Sequence, residues 1–466
     1  MPIAPRAGTR PPRLLVISFH FPPDGSVGGL RWSGLSKYLA RAGWEVHVVT
    51  ASRQDGQTAL PGVFVHHRAR AETLNDLYNR VANRLRASLF AADQQADTAP
   101  VVMSTPAKAA GRSFNAVARF RRHVSLALDF PDFGRGWILR ASITARALLR
   151  SQEFDAVVTS GPPHSSHMAG VLACMGRREL HWVDMRDPLA VGVEHVWARN
   201  PMNPPGVRVL LPHLERLIFR RAHGVVTNTP ELAELLGTHY PALRVAWVPN
   251  GIDRERLPAP TLNKLPGFSI AYVGTLYLGR DLTVVLDAMR ALIALHSTAA
   301  GVVRLRVAGS MDEGHEARLL TQIRAAGLED AVELLGSLPS AAALELTNRS
   351  HLALVLAPQQ PTQVPAKLYE CVALGLPTLV LTETTSASAR EARRIGAMIA
   401  EPDDVQGVMR VLESLWLTPD EILPSRAAIG YEDVATLMDA VLRGRVPARS
   451  TWSPTFGAPA VPRAAR

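Results

Sequence analysis

The sequence predicts an α/β protein built from two tandem doubly wound units. Three observations carry that expectation. Apolar runs of strand length alternate with amphipathic helical segments along most of the chain. A strand, a glycine loop and a helix open each half, and a polar, Pro-rich stretch separates the halves. The 466 residues are 47% hydrophobic and 20% charged, which is globular composition with length for two or three domains. Disorder throughout is excluded. Two cysteines, Cys174 and Cys371, far apart and in no CxxC pair, exclude a disulfide scaffold and point to a reduced cytoplasmic compartment.

Residues 1–12 and 446–466, rich in Pro, Ala and Arg without periodicity, read as disordered tails. The apolar stretch Leu14 to Phe19 is too short for a signal segment, and no run approaches 18 apolar residues, so any membrane role is peripheral. Residues 13–19 read as a buried strand. A helix follows from about Leu30 to Ala42, with Leu30, Gly34, Leu35, Tyr38 and Leu39 on its inner face and Arg31, Lys37 and Arg41 on its outer face. Gly43 ends it, and 44–50 is the next strand, completing a βαβ unit and arguing for a parallel sheet. Residues of about 71–150 are helical and strand-poor, an insertion. Alternation resumes with strands at 154–161, 181–187, 224–230 and 245–251, and with helices near 164–175 and 208–221. These elements place a first domain at 13–252, a linker at 253–267 and a second domain at 268–445. The second holds strands at 269–273, 303–307, 332–335, 352–356, 377–381 and 396–399, with a helix from Leu282 whose stripe is Leu282, Val285, Leu286, Met289 and Ile293. Ligands of such sheets sit outside the carboxyl ends of the strands, and for two facing domains the cleft between them is the expected site.

Three constellations carry chemistry. The loop Pro22-Pro23-Asp24-Gly25-Ser26-Val27-Gly28-Gly29 precedes a helix start, where adjacent glycines and free N–H groups suit an anion, although an ordinary Gly/Pro turn has the same composition. The loop Gly274-Thr275-Leu276-Tyr277-Leu278-Gly279-Arg280-Asp281 opens the second domain; Arg280 suits bidentate binding of a diphosphate, or pairing with a surface carboxylate. The segment from Val364 to Pro377 enters a helix near Ala366 that Gly375 caps. Glu370 lies one turn in, among Leu368, Cys371, Val372 and Leu374, where an unpaired carboxylate is costly and two vicinal hydroxyls would satisfy it. Lys367 opposes the helix dipole, a placement that makes sense beside an anion.

In this order and at these separations, and with the turn Pro249-Asn250-Gly251-Ile252-Asp253 before the linker, residues 13–445 resemble glycosyltransferase family 4, and within it the bacterial surface-polysaccharide enzymes. The resemblance implies the GT-B fold, two Rossmann-like doubly wound domains facing across a cleft. It implies retaining transfer of a sugar from a nucleotide-sugar donor to a glycan or lipid-linked acceptor, with no metal. The absence of an Asp-x-Asp motif agrees. Gly28 and Gly29 would approach the donor phosphates or acceptor. On the donor side it implies Gly274, Arg280, Ser337, Lys367, Leu368 and Glu370 as contacts, with Arg280 and Lys367 neutralising the leaving diphosphate and Glu370 holding the ribose.

The sequence also departs from the family pattern. The first of the family's two glutamates falls on Thr362, and its histidine falls on Ser160, leaving His164 as the substitute. Asp187 ends a first-domain strand and suits an acceptor hydroxyl or a base, while Asp184–Arg186 or Asp187–Arg pairing is the structural alternative. The expected chemistry is front-face displacement. Rival readings are an epimerase or hydrolase of the same fold and a non-catalytic scaffold.

The net charge of +10 sits in the first half, where residues 1–250 carry 30 basic against 18 acidic side chains. Arginines crowd 112–150, interspersed with Phe114, Phe120, Leu126, Phe130, Phe133 and Trp137. The expectation is docking on an anionic membrane surface, placing the protein at the inner face of the cytoplasmic membrane, rather than nucleic-acid binding.

Overall fold

The computed structural model describes the chain apart from residues 1–9, 25–26, 54–59, 74, 78–79, 81–127, 192–204, 277–278, 312–313, 419–427 and 446–466. Its contacts divide the chain into two units, one of Met1–Trp32, Ala40–Val226 and His239–Arg244, the other of Ser33–Leu39, Thr227–Thr238 and Val245–Arg466.

The first sheet comprises β1 (Arg13–Ser18), β2 (Glu45–Thr50), β3 (Val63–His67), β4 (Ala156–Gly161), β5 (His181–Met185), β6 (Gly224–Thr227) and β7 (Val245–Trp247). Its order is β3-β2-β1-β4-β5-β6-β7, with β1 in parallel register on both sides: Leu14 lies opposite Val46 of β2 and Ala156 of β4. Around it lie α1 (Val27–Arg41), α2 (Ile138–Ser151), α3 (Ser165–Ala173), α4 (Pro205–Arg221) and α5 (Pro230–His239). Strand β3 and helix α5 were not expected; the Val-Phe-Val-His-His run of β3 is half-exposed and weakly apolar, so its sequence signal was faint. Arg10, expected in a disordered tail, donates to Asp155 at 2.7 Å. Much of the expected helical insertion, including Arg112, Arg119, Arg121 and Arg122, lies outside the described residues, whereas 138–151 is helical as expected. Trp137 is not a surface residue: it is fully buried with Leu15, Ile17 and Ala141, its ring 5.4 Å from Phe19.

The interior of this unit holds an ion pair. Asp184 of β5 is fully buried and accepts from Arg31 Nε at 3.2 Å, Trp32 Nε1 at 2.7 Å and Ser160 Oγ at 3.1 Å. This corrects two expectations. Arg31 lies on the inner face of α1, and Asp184 pairs with it rather than with Arg186. A carboxylate can be buried only where its lone pairs are filled, and three donors from α1 and β4 fill them. Lys37 is also withdrawn from the outer face: its Nζ lies 2.8 Å from Asp253 Oδ2 and 2.7 Å from Glu255 Oε2.

Nearby, Thr159 Oγ1 joins His167 Nδ1 at 2.9 Å and His181 Nε2 at 3.0 Å, all three buried. Glycines make the room. A Cβ on Gly161 would stand 2.4 Å from His167 Nε2, and one on Gly170 would stand 2.2 Å from Thr159 Cγ2. Burial pushes the His181 imidazole down to about 4 and that of His167 well below the usual range, so both are neutral at pH 7.

The second sheet comprises β8 (Phe268–Val273), β9 (Val303–Ala308), β10 (Val332–Gly336), β11 (Leu352–Leu356), β12 (Thr378–Leu381) and β13 (Met398–Ala400), in the order β10-β9-β8-β11-β12-β13. Its helices are α6 (Thr283–Leu295), α7 (His315–Ala326), α8 (Ser340–Asn348), α9 (Ala366–Ala373), α10 (Ala387–Ile395), α11 (Val405–Leu417) and α12 (Tyr431–Leu442). The expected stripe of Leu282, Val285, Leu286 and Met289 is at most 1% exposed, packed on the sheet core, with Ile293 at its margin. Gly375 follows α9 in the left-handed region at φ +71°, as a helix-ending glycine should.

Two outcomes test these interiors. Arg31→Met leaves the Asp184 carboxylate buried without its cation and should cost about 3–5 kcal/mol in urea unfolding; a loss under about 1 kcal/mol would show the pair to be dispensable. The histidine network predicts the sign of the pH dependence. The unfolded chain takes up protons below about pH 6.5, but native His181 does not until about pH 4. Stability should therefore fall as pH drops through that window, by up to about 1.4 kcal/mol per unit for each such histidine; flat urea midpoints from pH 7 to 5 would contradict it.

Candidate functional site

In both sheets the strand order reverses beside the first strand, between β1 and β4 and between β8 and β11. Chains leaving the carboxyl ends there diverge to opposite faces and open a crevice. The expected site residues lie past the carboxyl ends of the strands or on the helices that follow them, some at these two places and others, such as Asp187 after β5 and Ser337 after β10, beside neighbouring strands.

In the first unit, β1 runs into Phe19-His20-Phe21-Pro22-Pro23-Asp24. His20 Nδ1 lies 2.6 Å from Asp24 Oδ2, and Ser52 Oγ donates to the same oxygen at 3.3 Å. Neither His20 nor the role of Asp24 was anticipated, although the four-residue spacing of a histidine and an aspartate past a strand end is visible in the sequence. Gly28 and Gly29 follow on the first turn of α1. A Cβ on Gly28 would stand 3.2 Å from the His20 ring and 3.3 Å from the Arg186 guanidinium, and one on Gly29 would stand 3.2 Å from the Phe21 backbone. Close approach of the α1 start to the loop after β1 is thus a structural reason for Gly29, while Gly28 stands against the His20 and Arg186 side chains. Arg186 is held in turn by the carbonyls of Gly161 and Pro162, at 3.1 and 2.8 Å.

Ser160, at the family histidine position, is spent on Asp184. His164 lies four residues on, at the start of α3. It does not cap that helix: Asp132 does, accepting from Ser165 N at 3.0 Å and Ser165 Oγ at 2.6 Å. The His164 Nδ1 atom is buried without a hydrogen-bond partner. Burial lowers its pKa, against the opposing pull of Asp132 and Asp187. Asp187 is partly buried and near enough to act on His164 electrostatically, so the two first-domain candidates share one neighbourhood with Arg186.

In the second unit, the loops after β8, β9 and β10 are laced together by glycines. Gly274 N donates to Ala308 O at 2.9 Å, and Gly309 N donates to Gly336 O at 2.8 Å. Gly309 has φ +146°, and a Cβ there would stand 1.9 Å from Gly274 O, so no other residue permits this approach. Gly279, at φ +78°, faces the side chain of Gln359 after β11, and half-buried Arg280 follows it. Gln359 is itself left-handed at φ +59°, its N–H held by Glu383 Oε1 at 2.8 Å. Glu383 was missed; its signal was a carboxylate directly past the β12 strand end. Ser337 is exposed beyond Gly336.

One expectation about α9 changes. Lys367 Nζ lies 2.7 Å from Glu370 Oε2, so the carboxylate is not left unpaired and the lysine faces it across one turn. Leu368 is fully buried, and its N–H donates to Pro365 O at 3.1 Å, so its side chain packs in the core and supports the helix start. Among the described residues no group of three His, Cys, Asp or Glu is placed to hold a metal ion.

Comparisons with known proteins accord with this arrangement. Residues 100–256 match the family model Glycosyltransferase Family 4, and residues 267–417 match Glycosyl transferases group 1. No curated protein sequence matches the chain. Among solved structures, the HepE protein of Anabaena, crystallised with UDP and glucose, is 14% identical with a TM-score of 0.59, covering 93% of this chain and 99% of its own. Sucrose-phosphate synthase of Thermosynechococcus elongatus is 14% identical, with a TM-score of 0.60 and the same coverage. A glycosyltransferase of Rickettsia africae is 10% identical, with a TM-score of 0.56 over 94% of this chain and 97% of its own. At such identities the likeness is one of fold. Two consecutive family matches on two Rossmann-like sheets place the chain among the glycosyltransferases of family 4, with the GT-B fold.

Proposed function

We propose that the protein is a retaining glycosyltransferase that takes a sugar from a nucleotide-sugar donor and passes it to a hydroxyl of a glycan or lipid-linked acceptor in bacterial cell-surface glycan synthesis. The observation that carries this reading is the Lys367–Glu370 pair on the first turns of α9, beside the β8–β11 switch point and in the same sheet as the Gly274–Arg280 loop. A helix start with a nearby arginine and lysine suits a diphosphate. A carboxylate one turn further suits the two hydroxyls of a ribose.

On this reading the arriving diphosphate draws Lys367 from Glu370, and the freed carboxylate accepts the ribose hydroxyls. The pair holds the two opposite charges against one another until the donor binds. The acceptor oxygen attacks the anomeric carbon on the face that the diphosphate leaves. The anomeric C–O bond to phosphate breaks, and the acceptor proton passes to a departing phosphate oxygen. Arg280 and Lys367, rather than a bound metal, offset the charge that grows on that oxygen, which is the largest expected contribution to the rate. His164 and Asp187 orient the acceptor hydroxyl; His164, neutral, accepts or donates a hydrogen bond without adding charge.

Thermal-shift titration against nucleoside diphosphates and their sugars tests the donor half. A true ligand at 100 times its Kd adds about 2.7 kcal/mol of stability. Lys367→Met should remove most of that stabilisation and lower turnover by about 10²–10³-fold. No shift with any nucleotide would favour a non-catalytic scaffold. Glu370→Gln should weaken a ribonucleoside diphosphate about tenfold while leaving the 2′,3′-dideoxy compound unchanged, since only the first has the hydroxyls; equal losses would remove Glu370 from that role.

We also propose peripheral docking at the inner face of the cytoplasmic membrane through the basic 112–150 region. Among its described residues, Phe133, Leu139 and Ile143 are 50%, 67% and 69% exposed. The last two share one face of α2 with i,i+4 spacing. Leu139→Ser with Ile143→Ser should release the protein from anionic vesicles in co-sedimentation; unchanged binding would place the contact elsewhere.

A further inference from the structure

The first unit carries a basic groove apart from the candidate site residues described above. An open groove of about 1750 Å³ runs beside the C-terminal half of α4. Its position in the sheet is distinctive. Arg178 precedes β5, His223 directly precedes β6 and Arg244 directly precedes β7, so this wall stands at the amino-terminal edge of the strands, whereas His20, Gly28 and His164 stand at the carboxyl ends.

Its described lining includes five arginines, Arg178, Arg216, Arg220, Arg221 and Arg244, and three histidines, and among these described lining residues there is no aspartate or glutamate. None of the five arginines forms an ion pair with a described carboxylate. Other arginines of the unit behave differently: Arg10 pairs with Asp155, Arg13 with Glu45 and Arg31 with Asp184. The one acidic side chain at hand is already used. Glu215 of α4 is fully buried, and its two oxygens accept from Tyr240 Oη and from Ala190 N, each at 2.8 Å. That double anchor pins the return of the chain after β5 and the segment after α5 against α4, so the groove walls are fixed by interior bonds. The Tyr240 phenol, raised in pKa by burial and by Glu215, stays neutral. Arg244 Nη1 donates to His223 Nε2 at 2.9 Å, which aims that guanidinium along the wall.

Cations of one sign gathered in one concavity repel one another and attract a multivalent anion. The floor is not polar throughout. Leu211, Leu243 and Val191 line it, and Leu217 lies there 41% exposed between the flanking arginines Arg216 and Arg220. A free phosphate would use only the guanidiniums and leave the exposed Leu217 and half-buried Leu243 wet.

We propose that this groove is a binding site for a phosphate-headed amphiphile, its phosphate held by Arg216, Arg220 and Arg244 and its apolar body laid along Leu217 and Leu243. The site lies within one unit and does not depend on the donor-side reading above.

The test is isothermal titration of the full-length protein with dodecyl phosphate below its micelle concentration, with inorganic phosphate and with dodecyl maltoside. Dodecyl phosphate should bind at least tenfold more tightly than inorganic phosphate, and its affinity should fall with added salt. Arg216→Gln with Arg220→Gln, both at exposed positions that need no refolding of the core, should weaken it at least tenfold. Lys367→Met, on the donor side, should not alter it, which separates this site from any diphosphate binding there. Leu217→Ser should weaken dodecyl phosphate and leave inorganic phosphate unchanged. Equal binding of the maltoside would reduce the groove to an apolar surface, equal binding of inorganic phosphate would reduce it to a simple anion site, and wild-type affinity in the double arginine variant would overturn the assignment.

Discussion

The buried pairing of Arg31 with Asp184 is the constraint on which the first unit's candidate site depends. A helix that follows β1 through a glycine-rich loop has little to fix its angle over the sheet. Arg31 and Trp32 both reach Asp184, and Ser160 of β4 completes the carboxylate's partners. Three elements are thereby tied at one oxygen pair: α1, β4 and β5. The groups of functional interest are the next residues along these same elements: Gly28 before Arg31, His164 after Ser160, and Arg186 and Asp187 after Asp184. A charge in the interior is expensive unless every lone pair is filled, and that demand makes the geometry specific. Arg186 then reaches back to the carbonyls of Gly161 and Pro162 and fixes the exit of β4.

The second unit reaches the same end by different means. Its strand ends are laced by backbone hydrogen bonds between glycines, and Gly309 admits Gly274 only because it lacks a side chain. The loop before Arg280 is anchored at its root, while α9 presents a lysine and a glutamate that neutralise one another. An ion pair of this kind, partly exposed, contributes little to stability. Its value lies in keeping two opposite charges in place at low cost until a ligand with both an anionic and a hydroxylated part exchanges them.

Charge in the first unit is divided by use. Where arginines meet carboxylates or carbonyls they build the fold, as Arg13, Arg31 and Arg186 do. Beside α4 five of them gather with no described carboxylate paired to them, a concentration of positive charge that suits an external anion. Burial governs the imidazoles in the same way. His167 and His181 are enclosed and neutral, bound through Thr159, while His20 keeps part of its ring in solvent against Asp24.

Much of this was legible in the sequence, because it depends on local periodicity and on residues with one dominant use. Alternation of strand and helix, the apolar stripe from Leu282, the ending of α9 at Gly375 and the order of the glycine and lysine–glutamate motifs follow from short-range chemistry. What the sequence could not decide was partnership. Helical periodicity put Arg31 on the outer face because it scores an arginine as polar, and only the tertiary structure supplies an Asp184 across 153 residues to receive it. The same blindness left the Glu370 carboxylate without a partner in the protein when Lys367 was within reach. It also made Trp137 an interfacial anchor when the sheet core had room for it, and it missed His20 with Asp24. A side chain's period tells which way it points, but the free energy of burying a charge depends on what it meets, and those partners come from distant segments that only folding brings together.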